Sequence, residues 1–324
     1  MLYTLPDYTA YVIIQNMDWL LCIAITVFAG ALCIFISNYI SDYYFKGKNA
    51  NAQKNFYWLP FFIIGFACLF ITGVDFVNIP FYIYLIFIFS GFIASVAGIF
   101  YYKALELSDS TDFGIFHQLS PVFYLILGWI LLNQNINTHQ FIAFFIIFSA
   151  PILILVTTKK RSRQIRLKAI LYTIADILID AAAAVIFVRF NTSDVNFITE
   201  MGFVYIGKGL GNLIIMLLNP KWRKRYHYIV KSSRRKVYFP LTCELIISTA
   251  KLFANNLALI LAPSVALTSA ITDSTKPIVI FFMGILLSLL WPRFGREKLN
   301  KKAILVHLVA TVLVVIGICL IQSS

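Results

Sequence analysis

Polar and apolar positions along this chain are sorted into blocks. Continuously apolar runs, each near the roughly 20 residues that cross about 30 Å of hydrocarbon at about 1.5 Å per residue, are separated by short polar stretches. The runs fall at about 19–40, 58–74, 80–102, 111–132, 139–156, 169–190, 196–218, 238–261, 265–291 and 303–321 and leave almost nothing over. Side chains within them do not alternate with a period of two, so the pattern predicts helices and not barrel strands. The expected fold is an all-α polytopic membrane protein with ten transmembrane helices and no soluble domain. No cleavable signal is expected, because the first run lacks a preceding basic residue and is too long for a signal core.

Composition agrees: 60 % of the 324 residues are hydrophobic and 13 % are charged, with a mean hydropathy of +0.84, far from an ordinary soluble domain. The pattern also repeats. Residues 108–132 (SDSTDFGIFHQLSPVFYLILGWILL) and 264–288 (SVALTSAITDSTKPIVIFFMGILLS) align at an offset of 156, matching Ser108 with Ser264, Pro121 with Pro277 and Gly128 with Gly284. This predicts two units, 1–158 and 159–324, of five helices each. An odd number of helices per unit makes the two inverted in the membrane, the arrangement of many transporters, with function between the halves.

The net charge of +13 raises the question of nucleic acid, and its placement answers it. Of 27 Lys and Arg, 23 fall in alternate connections, in the segments 46–54, 103, 159–168, 221–236 and 293–302. Such alternation follows the positive-inside rule, so these connections are expected in the cytoplasm and both termini outside. The run 221–236 (KWRKRYHYIVKSSRRK) then reads as a topology determinant touching anionic lipid headgroups. The chain is expected to be a multi-pass protein of a prokaryotic cytoplasmic membrane, monomeric or homodimeric, in contact with lipids and not with nucleic acid.

Enzyme chemistry finds no foothold, and no cofactor motif is present. Cys22, Cys33, Cys68, Cys243 and Cys319 all lie in apolar runs and read as small core residues. The histidines at 117, 139, 227 and 307 are scattered, with no metal-ligand spacing, phosphate loop or nucleophile elbow.

Polar residues inside the runs carry the remaining information, since a charge at mid-membrane costs at least about 2.5 to 3.5 kcal/mol on insertion scales. Asp176, Asp180, Glu200, Lys208, Glu244, Lys251, Asp273 and Lys276 lie in the second half, and His117 and Gln118 in the first. Asp180, Lys208, Lys251 and Lys276 fall near mid-span, whereas Glu200 and Glu244 lie close enough to the ends to reach the interface. Glu244, Ser248, Lys251 and Asn255 recur at i, i+4, i+7 and i+11, a single stripe. Glycines at 202, 207, 209 and 211 allow close approach of a neighbouring helix. Such charges either pair across helices, for instance Asp180 with Lys251, or line a substrate pathway. The repeat relates His117 to Asp273, each before a proline that loosens the helix. As histidine titrates in the physiological range, the two are candidates for proton coupling.

The run 104–155 (ALELSDSTDFGIFHQLSPVFYLILGWILLNQNINTHQFIAFFIIFSAPILIL), with its small-residue turn and Ser-Pro-Val-Phe centre, resembles the end of an EamA repeat of the drug/metabolite transporter superfamily. Residues 256–321 resemble the second such repeat. The resemblance implies two inverted five-helix repeats around a central cavity and transport of amino acids, nucleotide-linked metabolites, sugars, amines or drugs. Three features depart from that pattern: Asn133 stands where a Glu is usual, Lys276 precedes the second proline, and both termini are expected outside. The expected function is a secondary transporter of a small anionic or zwitterionic metabolite, such as an amino acid. Lys251, Lys276, Lys208, Asn255, Asp180 and Gln118 are the substrate-binding candidates, and Pro121 and Pro277 the helix breaks. An exchanger of phosphorylated or nucleotide-linked metabolites and a non-transporting scaffold are the alternatives.

Overall fold

A computed structural model describes residues 19–45, 50–74, 79–108, 119–134, 160–191, 195–233, 236–262 and 264–290, with isolated helical residues in 113–153 and 305–320. Every regular element among the described residues is helical. They are α1 (Trp19–Tyr39, ending in a π-helical turn Ile40–Tyr44), α2 (Lys54–Thr72, entered through a 3-10 turn Ala50–Gln53), α3 (Phe81–Leu107), α4 (Ser120–Leu132), α5 (Lys160–Phe190), α6 (Phe197–Leu218), α7 (Pro220–Ser232), α8 (Tyr238–Leu261) and α9 (Val265–Leu290). Among the described residues six stretches are long and apolar enough to cross a membrane: Trp19–Tyr44, Ala50–Thr72, Phe81–Leu107, Leu167–Phe190, Phe197–Leu218 and Tyr238–Leu261. Large side chains such as Phe70, Leu218 and Phe239 stand exposed on them, as a lipid-facing surface requires. In the expected runs 139–156 and 303–321 the described residues are scattered, and each of them is helical.

Helices overrun the apolar runs where the flanking residues are good helix formers. Helix α5 begins at Lys160, nine residues before its apolar run, through KRSRQIRLK, and α2 begins at Lys54, ahead of Trp58. Helix α7 is an element that the basic run 221–236 did not announce. Asn219 caps it by accepting from the Trp222 amide at 3.2 Å, Pro220 occupies its first turn, and both are helix-start residues. Its Ile229 packs with Ile40, Phe45, Tyr57 and Leu241, while Lys221, Lys224, His227 and Lys231 stay exposed.

The helices pack in two groups. Helices α2 and α6 lie along each other, and α3 packs on α5 and α6; α1 packs on α8 and α9, and α4 bridges α5 and α9. The α6 glycines make the first group close. Gly202 and Gly209 face α2, and Gly207 and Gly211 face α3; a Cβ on Gly207 would overlap the Ile88 carbonyl.

The two repeat-related prolines behave differently. Pro121 stands in the first turn of α4, after a tight turn in which Leu119 N–H donates to the Phe116 carbonyl at 3.3 Å, so its missing donor costs nothing. Helix α9 runs on through Pro277 without interruption, so the break expected there does not form. Membrane helices accept such a proline because neighbouring groups satisfy the freed carbonyl. Asn133 ends α4 in the left-handed region (φ 55°), a conformation that Asn tolerates and Glu does not.

Candidate functional site

A polar cavity of about 170 Å³ lies between the two helix groups. One wall comes from α1, α8 and α9, with Gly30, Cys33, Glu244, Ser248, Lys251 and Lys276; the other from α2, α3 and α6, with Lys54, Tyr57, Ser95, Tyr102, Lys208 and Asn212. His117 lies on the rim between them, just ahead of α4. Three members of the α8 stripe therefore face a cavity; Asn255, one turn further on, is half-buried outside the lining.

Gly30 explains how two lysines share a place. A Cβ there would lie 3.3 Å from Lys276 Cε and 3.7 Å from Lys251 Cε, so both stems cross the bare backbone of α1. Lys276 donates to Asp273 Oδ1 at 2.8 Å, and Asp273 also accepts from Ser269 at 3.0 Å. Ser269 in turn meets Ser120 of α4 at 3.4 Å. Lys251 is half-buried, and among the described residues it has no carboxylate within ion-pair distance. Lys208, also half-buried, places its ammonium 5.7 Å from the Phe61 ring centroid, a cation–π distance.

Lys54 and Glu244 are the residues that reading the sequence missed. Lys54 was counted with the basic connections; it is only 5 % exposed and turns inward, donating to the Ser95 carbonyl at 2.8 Å. Glu244 was expected to reach the interface; it is 5 % exposed and accepts from Ser37 at 2.5 Å, Tyr57 at 2.6 Å and Tyr102 at 3.2 Å. Three hydroxyls offset the burial of one carboxylate and tie α8 to α1, α2 and α3. Glu200 is likewise fully buried, accepting from Asn191 at 2.7 Å. Burial with a hydrogen-bonded partner replaces the expected reach to the interface in both cases.

Other candidates are placed as follows. His117 Nε2 lies 3.2 Å from Asp176 Oδ2, so the histidine's partner is on α5, while Asp273 pairs with Lys276. Asp180 is exposed on α5 and outside the lining, and it forms no ion pair with Lys251. Gln118 lies outside the described residues. Cys33, read as a core residue, is 7 % exposed and lines the cavity.

A bundle of long apolar helices enclosing a charged cavity defines a polytopic membrane protein. Residues 17–156 match the EamA-like transporter family, the family that the run 104–155 resembles; that family transports and is generally non-enzymatic. One solved structure, a crystal structure described only as that of a protein, covers 92 % of this chain and 96 % of its own at 14 % identity and a TM-score of 0.55, a likeness of fold. No curated protein matches the sequence.

Proposed function

We propose that this chain is a secondary transporter of the drug/metabolite type, moving a small anionic or zwitterionic metabolite through the cavity by alternating access between two inverted repeats, 1–158 and 159–324. The observation that carries the reading is Lys251, an ammonium half-way along its helix, facing a cavity and lacking a carboxylate partner among the described residues. Such a charge is costly in a membrane unless something meets it, and an anionic group of the substrate does so. A scaffold would seal the Lys251 stripe in a closed helix interface, and an open polar cavity argues for a pathway.

Binding of a metabolite panel to the purified protein, read as thermal stabilisation and followed by uptake into proteoliposomes, tests this. At least one small anion or zwitterion is expected to stabilise the wild type and not Lys251→Met. A panel with no such ligand would remove the reading. The basic connections, α7 included, are proposed to face the cytoplasm, with both termini outside; tags on the termini should then be labelled in intact cells. His117 and Asp273 are proposed to make transport pH-sensitive. Proton coupling is excluded by an uptake rate that stays constant between about pH 5.5 and 8, the range in which histidines titrate.

A further inference from the structure

Four lysines face the cavity, and they divide by the helix groups that bear them. Lys251 and Lys276 belong to α8 and α9, which pack on α1, and they converge over Gly30. Lys54 and Lys208 belong to α2 and α6, which pack on each other; both line the cavity, and Ser95 of α3 bonds the ammonium of the first and the backbone of the second. The Ser95 carbonyl accepts from Lys54 Nζ at 2.8 Å, and its hydroxyl donates to the backbone carbonyl of Lys208 at 2.9 Å. Gly98 leaves the space that Lys54 fills, since a Cβ there would lie 2.5 Å from its ammonium. Each wall of the cavity thus carries a lysine pair.

Formal charges show what is missing. Among the described residues Lys276 is the one of the four with a carboxylate in ion-pair contact, Asp273. The lining adds the carboxylate of Glu244, which is satisfied by hydroxyls. His117 and Asp176 pair with each other at 3.2 Å. Among the described residues, four lysines stand against the two carboxylates of Asp273 and Glu244, and the lysines without a carboxylate contact are spread over both walls. Like charges inside a membrane protein repel strongly because little water screens them.

We propose that the substrate carries two negative charges, as a small dicarboxylate or a phosphate monoester does, and engages one lysine pair on each wall. This rests on the anion-transport reading above and sharpens it. A single carboxylate can meet one pair and leaves the other uncompensated. A dianion meets both, draws the two helix groups together, and so favours the closed form that alternating access passes through, by binding it better than the open one.

The test is a set of titrations of the purified full chain, at matched ionic strength, with succinate, glycerol phosphate, acetate, lactate and alanine, followed by thermal stabilisation. Succinate or glycerol phosphate is expected to bind at least about tenfold more tightly than acetate or lactate, the value of one further charged hydrogen bond; which of the two is preferred separates a dicarboxylate from a phosphate site. Lys54→Met and Lys208→Met should each weaken the dianion by at least about tenfold and leave the monoanion within about twofold, whereas Lys251→Met should weaken both. Should Lys54→Met fail to assemble, the wild-type ranking decides alone. Equal or stronger binding of monoanions or alanine, with Lys208→Met indistinguishable from wild type, overturns the dianion and leaves the anion-transport reading standing. No response to any of these probes, with Lys251→Met unchanged, overturns both.

Discussion

At the end of the cavity beside the basic connections, Glu244 is buried and accepts from hydroxyls on three other helices. Half-way across the bundle, Lys251 is half-buried and meets no carboxylate among the described residues. Both are ionisable groups on one stripe of one helix, seven residues apart, and the same wall holds them. The difference lies in what surrounds each. The carboxylate's hydrogen bonds are complete without a ligand, as expected of a group that fastens helices together. The ammonium's are not, as expected of a group that waits for one.

The largest effect should come from breaking the completed end. Glu244→Ala takes the acceptor away from three hydroxyls at once and is expected to cost about 3 kcal/mol or more of stability, since each buried group left without a partner costs about 1 to 3 kcal/mol. Thermal unfolding of the purified protein checks it, and Glu244→Gln, which keeps two acceptor sites' worth of oxygen and shape, should recover much of the loss. A neutral Glu244→Ala would mean that the three hydroxyls find other partners and that the latch is not structural.

Lys251→Met should act in the opposite sense: stability unchanged or raised, because a charge without a partner leaves the membrane interior, and ligand affinity lowered by about tenfold to a hundredfold, the range for a hydrogen bond to a charged group. Cys33, on the same wall, gives a second measurement. Its alkylation should slow when ligand occupies the cavity and should stop responding to ligand in Lys251→Met. Loss of stability in Lys251→Met, rescued by a second neutralisation, would make the lysine a structural charge like Glu244.

The same comparison marks how far the sequence could be read. Lys251 was legible because its neighbours on the stripe recur at helical spacing, and Lys276 because the repeat and the proline drew attention to it. The EamA likeness was legible in the run 104–155. Glu244 and Lys54 were not, because depth was counted from the ends of apolar runs. Helix α2 starts before its apolar run does, so Lys54 was assigned to a connection when it sits in the first turn and points inward. The hydroxyls that accommodate Glu244 come from Ser37, Tyr57 and Tyr102, which lie 207, 187 and 142 residues away in sequence. A long-range arrangement of that kind leaves no periodic trace in one chain. Helix α7 did leave a signal, Asn219 and Pro220 at its start, and the density of basic residues obscured it.

Gly30 offers a gentler way to separate fastening from binding. A methyl group there meets only the flexible stems of Lys276 and Lys251, at 3.3 Å and 3.7 Å, so Gly30→Ala should change stability by less than about 1 kcal/mol. It displaces both ammonium groups from the place they share, and ligand affinity should fall several-fold. A stability loss matching that of Glu244→Ala would show that the lysine crossing is part of the packing.

The smallest effect, and the most discriminating, is expected at Asp273. Asp273→Asn keeps the side chain's size and an oxygen that accepts from Lys276 or Ser269, but it removes the one carboxylate that, among the described residues, is in ion-pair contact with a cavity lysine. If the substrate presents only negative charge to this wall, Lys276 becomes more available and affinity rises a few-fold, the scale of one partly screened charge acting over several ångströms. If the substrate is a zwitterion whose ammonium is held by Asp273, affinity falls instead, and the fall is confined to ligands with an amino group. Titrating succinate and alanine against wild type and Asp273→Asn separates these cases, because each case moves a different one of the two ligands. A rise for succinate with no change for alanine places Asp273 with the groups that restrain the cavity's own charge, and a fall for alanine alone places it in the binding site.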